Sequence, residues 1–300
     1  MMGCGNGYMQ KESRTMKALN AIGLHHLAWS ARRLHCPVPK DALVLDVGSG
    51  GNPYPRANVL LEGSEESEER YYEKLVADRP MVFGMVENLP FKDKSFDFVI
   101  ASHVLEHSVH PDRFLNELVR VGKAGYIETP DAFFERINPF RFHRSEISCV
   151  DGRLMIFKKP SWRHDSNMVD MYERQLKCTN FLKLTRQYPE PFCMRHYWKG
   201  KIEFTVVNPE TDSGWKIPGD EDRKTFHRSS GRRVALSLAR WFWTQGRRNR
   251  LIDLKQLLQC PNCSSSNLSF SPDQIDCQSC RSSYAVMNGI PVMKRNYHLP

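Results

Sequence analysis

Val44-Leu45-Asp46-Val47-Gly48-Ser49-Gly50-Gly51 is a short apolar run that ends in an acid and opens into glycines. A nearly continuous apolar run of this length reads as a strand buried on both faces, the habit of a parallel sheet. Glycines at its end let the backbone approach a ligand where a Cβ would intervene. Upstream, residues 15–35 (TMKALNAIGLHHLAWSARRLH) carry apolar side chains at helical spacing with Arg32 and Arg33 near the end, which predicts one amphipathic helix. Two prolines between Cys36 and Lys40 stop it. Downstream, the runs NVLLE (58–62), MVFGM (81–85), FDFVI (96–100) and AGYIETP (124–130) alternate with the helix-like stretches SEESEERYYEKLVADR (64–79) and HPDRFLNELVRVG (110–122). Strands alternating with helices predict an α/β fold built on a doubly wound, mostly parallel sheet.

The chain has 300 residues, room for about two domains at roughly 150 residues each. Its 40% hydrophobic and 26% charged residues are those of a folded protein and exclude bulk disorder. No window reaches the roughly 18 apolar residues of a membrane span. Met1 to Arg14 lacks the apolar stretch of a secretory signal, and the acylation-like start Met2-Gly3-Cys4 has Gly7 where a Ser or Thr is required. These features predict a cytoplasmic protein, with peripheral membrane contact as one option. The expected organisation is an N-terminal helix (1–40), a main domain (41–220, with its core at 41–131 and cap or closing strands at 132–220), a basic connector (221–252) and a cysteine module (253–300).

Around the glycine loop other motifs fall in order. Glu62 ends the second predicted strand, where an acid accepts both hydroxyls of a ribose in a doubly wound sheet. Then come Glu87-Asn88-Leu89-Pro90-Phe91, Ser95-Phe96-Asp97, Ser102-His103-Val104-Leu105-Glu106-His107 and Glu117-Leu118-Val119-Arg120-Val121. This succession, over residues 41–131, resembles the class I S-adenosylmethionine-dependent methyltransferases, in particular their ubiquinone-biosynthesis-like branch. The resemblance implies that Asp46, Gly48 and Gly50 line the methionine and ribose part of the cofactor and that Glu62 holds the ribose hydroxyls. It further implies that Glu87, Asn88 and Leu89 face adenine, and that Ser102 and His103 sit beside the sulfonium and the acceptor. The sequence departs from the family at two places. The segment GGNPYPRAN (50–58) is too short and proline-rich for the usual helix between the first two strands. Met85 stands where the family often has an adenine-binding Asp, a role left to Glu87 or a backbone carbonyl.

An activated methyl donor asks mainly for alignment of donor and acceptor; a base is needed only for a hydroxyl or a protonated amine. His103, Asp131 and His143 are the candidate catalytic residues, each with a plain structural role as the alternative. His103-x-x-Glu106-His107 also has the zinc-protease spacing, but it follows directly on a strand instead of lying within a long helix, so it is not read as a metal site.

Cys260-Pro-Asn-Cys263 and Cys277-Gln-Ser-Cys280 are two knuckles thirteen residues apart, able to close a tetrahedral shell around structural Zn²⁺; redox dithiols are the alternative. The other five cysteines are scattered without pairing rhythm, which suits a reducing compartment. Tyr284 to Met293 adds a hairpin with an Asn288-Gly289 turn. With Leu254 to Leu258 before it, this ending resembles the small zinc-ribbon proteins that partner and activate methyltransferases.

The formal net charge of +9 is concentrated. Nine Lys or Arg and no acid fall between Arg223 and Ile252, which leaves the remainder neutral. Within it, GRRVALSLARWFWTQGRRNR (231–250) surrounds Trp241-Phe242-Trp243 with arginines. Three readings stand: an interfacial helix on anionic lipid, an RNA-contacting element, or a helix packing its apolar face on the body. The expected activity is methyl transfer to a small-molecule, lipid-linked or glycan acceptor. Its alternatives are an RNA methyltransferase and a non-catalytic adaptor that presents the ribbon.

Overall fold

The computed structural model describes residues 12–70, 72–162, 165–216 and 230–295. The stretch read as one helix is two, α1 (Arg14–Ala21) and α2 (His25–Ala31). Ser13 caps the first by accepting from the Met16 N–H at 3.1 Å. Gly23, at φ +76°, breaks the path between them. The core strands follow: β1 (Val44–Val47), β2 (Val59–Glu62), β3 (Met81–Gly84), β4 (Phe98–Ser102) and β5 (Ala124–Pro130), with α3 (Pro111–Val121) between the last two. Every residue of β1, β2 and β3 is buried, so these strands read as apolar runs without alternation. β1 pairs parallel with β2 (Leu45 opposite Val59), and β2 with β3 (Leu60 opposite Met81).

Among the described residues of 64–79 there is no α-helix, only a turn of 3₁₀ helix at Glu68–Arg70. Glu65, Glu66, Glu68 and Glu69 repel one another at helical spacing, and the segment instead lies over the glycine loop, with the Val76 N–H donating to the Gly50 carbonyl at 3.3 Å. The proline-rich segment after β1 is likewise helix-free, held by the Tyr54 N–H donating to Asp46 Oδ2 at 2.7 Å.

Past α4 (Ala132–Ile137), β6 (Ser145–Val150) and β7 (Arg153–Lys158) form a hairpin whose turn residues Asp151 and Gly152 both take positive φ. α5 (Ser166–Arg174), α6 (Phe181–Gln187), β8 (Cys193–Lys199) and β9 (Phe204–Val206) complete this stretch. Edge-to-face aromatic pairs fill it, Phe134 on Tyr172 and Phe181 on Phe192 among them. The connector is α7 (Ser230–Trp243) and α8 (Gly246–Asn249). Residues 251–259 (LIDLKQLLQ), whose apolar spacing predicts a short helix, hold a 3₁₀ turn at Leu254–Gln256 instead. The ribbon is β10 (Leu268–Phe270), β11 (Gln274–Cys277), β12 (Ser283–Met287) and β13 (Ile290–Met293), with Asn288 and Gly289 both at positive φ in the last hairpin.

Two compact units divide the chain. One comprises Met1–Pro37, Ala101–Asp112 and Tyr126–Glu221; its strands β6, β7 and β9 form a small sheet in the order β6-β7-β9. The other comprises Val38–Ile100, Arg113–Gly125 and Asp222–Pro300. Its strand order is β10-β11-β12-β13-β3-β2-β1-β4-β5, in which β4 and β5 take part by their first residues. The 3-2-1-4-5 order within it is that of a doubly wound sheet, which places the loop after β1 where the order reverses. β13 runs parallel to β3, Val292 opposite Phe83, so the ribbon continues the sheet of this unit.

Asn58, fully buried, ties three parts of that unit together. Its Oδ1 accepts from the Val44 N–H (3.0 Å) and from Arg56 (2.9 Å), and its Nδ2 donates to Asn249 Oδ1 (2.8 Å) and Gln245 Oε1 (3.0 Å). Replacing it by alanine strands a buried N–H and a buried carbonyl. Asn58→Ala is therefore expected to lower stability by about 2–3 kcal/mol in urea unfolding.

Candidate functional site

In the sheet-bearing unit, Gly48 and Gly50 turn the chain at the end of β1 with φ of +68° and +57°. The Gly48 N–H donates to the Leu61 carbonyl at 2.8 Å, which fixes the loop against β2. Glu62 follows directly. Its Oε1 accepts from the Gly50 N–H at 2.5 Å and its Oε2 from its neighbour Gly63 at 3.3 Å, while Arg70 Nε stands 3.9 Å from Oε2. Burial raises the carboxyl's pKa, and Arg70 and the two N–H groups offset part of that rise. A Cβ on Gly50 would lie 3.6 Å from Arg70 Cδ, whereas one on Gly51 would lie 2.5 Å from Glu73 Cδ and would displace that side chain.

This donor set suits an adenosyl cofactor in kind. A buried carboxylate at the end of β2 can accept two vicinal hydroxyls, and the two glycines leave the strand end open to close approach. Arg70 is the competitor on that carboxylate, and nothing in the sequence pattern marked it. Its guanidinium is held by the carbonyls of Ser64 and Glu65, both at 2.8 Å.

The other expected cofactor residues are placed as follows. Asp46 is buried and holds the Tyr54 N–H. Glu87 is half-buried after β3, where Met85 makes a bridge to Asn88. Asn88 Nδ2 donates to the Pro261 carbonyl of the first cysteine knuckle at 2.7 Å. Leu89 is buried and its N–H donates to Glu117 Oε2 at 2.6 Å. Arg120 clamps the same loop through the carbonyls of Leu89 and Phe91.

In the other unit, Ser102 and His103 end β4 beside Glu128 of β5. Glu128 is fully buried and receives a two-pronged contact from Arg32, Nε and Nη2 each at 2.9 Å. Ser102 Oγ (3.2 Å) and His103 Nε2 (3.3 Å) both reach its Oε1, and the Tyr126 hydroxyl donates to its Oε2. His103 Nδ1 lies 3.2 Å from Glu106 Oε1. Its backbone takes φ +58°, a conformation costly for a non-glycine residue, and its N–H donates to the Glu128 carbonyl at 2.7 Å.

Desolvation depresses the His103 pKa, but the hydrogen bonds and charges of Glu106 and Glu128 outweigh it and push the value up to about 10. The ring is wedged among protein atoms while half its side-chain surface meets solvent, which screens the pairs without reversing their direction. Glu128 is held well below the ordinary carboxylate range despite burial, by Arg32 and His103. Burial takes His107 the other way, to about 4, so its ring is neutral.

His143 is buried with Nδ1 2.6 Å from Glu135 Oε2, and Lys159 Nζ reaches Glu135 Oε1 at 2.5 Å. Asp131 caps α4 by accepting from the Phe133 N–H, and burial raises its pKa. Ligand atoms of Glu106, His107 and His143 lie within 4.8 Å of one another. Around them the carboxylates of Glu106, Glu128 and Glu135 face Arg32, protonated His103 and Lys159, a balanced set with no excess negative charge to draw in a cation. Sequence reasoning missed Glu128 and Glu135. An acid inside the apolar run AGYIETP was the available signal for the first.

The four cysteine sulfurs also converge within 4.8 Å, with Cys260 3.6 Å from Cys280 and Cys263 3.5 Å from Cys277. The two knuckles are alike. The Ser264 N–H returns to the Cys260 carbonyl at 2.8 Å and the Arg281 N–H to the Cys277 carbonyl at 2.9 Å, and both donor residues sit at positive φ. Backbone N–H groups of Asn262 and Cys263 point at the Cys260 sulfur, and that of Ser282 at Cys280. Four converging sulfurs, three of them with N–H donors on them in these two turns and at Ser265, are a set fit for a thiolate-bound metal.

Residues 45–127, under a third of the chain, match the family described as methyltransferase domain. No curated protein matches. Among solved structures, a chain of the complex between the Haloferax volcanii Trm112 methyltransferase activator and a methyltransferase is 17% identical, covering 62% of this chain and 97% of that one at a TM-score of 0.38. A Thermotoga maritima S-adenosylmethionine-dependent methyltransferase, described as a possible histamine N-methyltransferase, is 24% identical over 39% of this chain and 59% of its own (TM-score 0.28). One from Mesorhizobium loti is 12% identical over 58% and 97% (TM-score 0.34).

The imidazoles make opposite contributions to stability. His103, raised above its unfolded value, stabilises the fold fully below about pH 6.5, and that contribution is lost as pH rises toward 10. His107, lowered, contributes fully above about pH 6.5 and loses its share as pH falls toward 4. NMR titration of the ring protons is expected to show His103 still protonated at pH 8 and His107 still neutral at pH 5.5; coincident titrations near 6.5 would contradict both assignments.

Proposed function

We propose that this chain is an S-adenosylmethionine-dependent methyltransferase acting on a small-molecule, lipid-linked or glycan acceptor. The observation that carries the reading is Glu62, a buried carboxylate at the end of β2 beside two glycines of positive φ, within a matched methyltransferase domain. When bound, the cofactor supplies an already activated methyl group on a sulfonium. Glu62 would hold its ribose hydroxyls, Gly48 and Gly50 would admit its methionine part, and Glu87 takes the adenine-facing role that Met85 cannot.

His103 carries a proton at neutral pH, so it serves as a hydrogen-bond donor that orients groups around Ser102 and Glu128. Where the acceptor needs a base, that role falls to Asp131, whose carboxyl burial makes more basic. His143, locked to Glu135, is a positioning residue. A second reading, a non-catalytic protein that keeps the fold, is favoured by Arg70 standing against Glu62 and by Glu73 against Gly51.

Structural zinc on Cys260, Cys263, Cys277 and Cys280 is part of the same proposal; a four-sulfur shell leaves no open position for chemistry. The ribbon reaches the residues expected at adenine through covalently distant contacts: Asn88 to the Pro261 carbonyl, the Gln259 N–H to the Pro90 carbonyl at 3.1 Å, and β13 to β3. Removing the metal is therefore expected to weaken cofactor binding as well as to lower the melting temperature, read by calorimetry before and after chelation and again after zinc is restored.

Titration calorimetry with S-adenosylmethionine tests the main reading. The wild-type protein is expected to bind, and Glu62→Gln, close in shape, to bind about tenfold or more weakly with its melting temperature kept. Absence of heat at millimolar cofactor would leave the non-catalytic reading.

A further inference from the structure

α7 is amphipathic with its apolar side turned outward. Val234, Leu238, Trp241 and Phe242 stand at spacings i, i+4, i+7 and i+8, which puts them on one stripe of the helix. In a helix packed on a core this stripe is the buried one. Here the four side chains are 59%, 53%, 76% and 69% exposed. The end of the helix is moored by polar contacts on another side: Arg240 Nε lies 3.8 Å from Asp78, and Thr244 accepts from Arg79 at 3.2 Å. Gln245 and buried Asn249 then bind Asn58. The contacts that moor the end of the helix are thus polar, and the apolar stripe stands exposed, contrary to the reading of a helix laying its apolar side on the body.

We propose that this face seats the protein on an anionic lipid membrane, with α7 lying in the plane of the interface. The helix has 14 residues, about 21 Å, and no helix among the described residues is long and apolar enough to cross a bilayer. The charge of the surroundings selects the sign of the surface. Between Ser230 and Arg250 the sequence has six arginines and no acid. Arg240 and Arg248 are engaged, the latter with the carbonyls of Lys40, Asp41 and Ala42; Arg247 and Arg250 are exposed beside Leu251, itself exposed. Tryptophans and arginines flanking an aliphatic stripe are the composition of an interfacial helix.

RNA is the poorer fit. A nucleic-acid face interleaves cations with its aromatic platforms so that phosphates and bases are met together, whereas the stripe of Val234, Leu238, Trp241 and Phe242 is an unbroken apolar set. The inference does not rest on catalysis, and it agrees with a lipid-linked acceptor.

The test is vesicle flotation of the full chain at about 0.15 M salt, comparing phosphatidylcholine alone with phosphatidylcholine containing about 30 mol% phosphatidylglycerol. The protein is expected to float with the anionic vesicles only, and Leu238→Glu and Trp241→Glu, both at exposed positions, to weaken binding by roughly tenfold or more at an unchanged melting temperature. Quenching of tryptophan fluorescence by brominated lipid in the wild-type protein checks insertion without any variant. Absence of flotation, flotation unaffected by either substitution, binding of RNA in place of vesicles, or a dimer that Trp241→Glu dissolves would each overturn the proposal.

Discussion

A carboxylate taken out of water has to find N–H donors, and Glu62 finds its principal one in Gly50. That contact forces the loop after β1 to turn back over the end of β2, which takes two left-handed glycines in succession on alternate residues. It also fixes how the chain leaves the loop. With no helix between β1 and β2, Asp46 and Asn58 must close the connection by side-chain hydrogen bonds, and Asn58 in turn moors the connector. The acidic segment after β2 then lies over the glycines and brings Arg70 to the same carboxylate. One buried charge thereby organises the loop, the crossover and the segment that covers them.

Much of what resembles a family signature is consumed by this scaffold. Asp97 of the Ser-Phe-Asp motif accepts from the Leu43 N–H at 2.7 Å and so starts β1, while Glu117 and Arg120 clamp the turn at Leu89. The proposed ligand contacts fall to Gly48, Gly50 and Glu62, which also shape the strand end, and to Glu87 after β3. In the other unit the Glu-His dipeptide after β4 belongs to a network whose charges cancel, and whose one strained backbone, at His103, marks the strand end as a place where geometry has been favoured over relaxation.

The strands were legible because β1, β2 and β3 are buried on both faces and therefore apolar save for Asp46 and Glu62, the Asn288-Gly289 turn because positive φ favours those residue types, and the knuckles because metal-ligating cysteines recur at a fixed spacing. The parallel pairing of β13 with β3 left no local mark, since it joins remote segments through backbone atoms. Spacing also predicted helices that do not form as read: the local turn at Gly23 splits the first, and the glutamates of 64–79 yield to the glycine loop. His103 was legible by its position but not in its protonation, which depends on Glu128 arriving from the neighbouring strand. The apolar stripe of α7 was visible in the sequence too; the side it faces was decided by Asp78, Arg79 and Asn58, far away in the chain.

Glu62 is proposed to hold the ribose of the cofactor. A crystal structure of the protein with S-adenosylmethionine or its demethylated product tests it most directly. Both ribose hydroxyls are expected within hydrogen-bond distance of the Glu62 oxygens, with Arg70 moved off the carboxylate. A cofactor bound elsewhere, or Glu62 still paired with Arg70 at saturating cofactor, would contradict it.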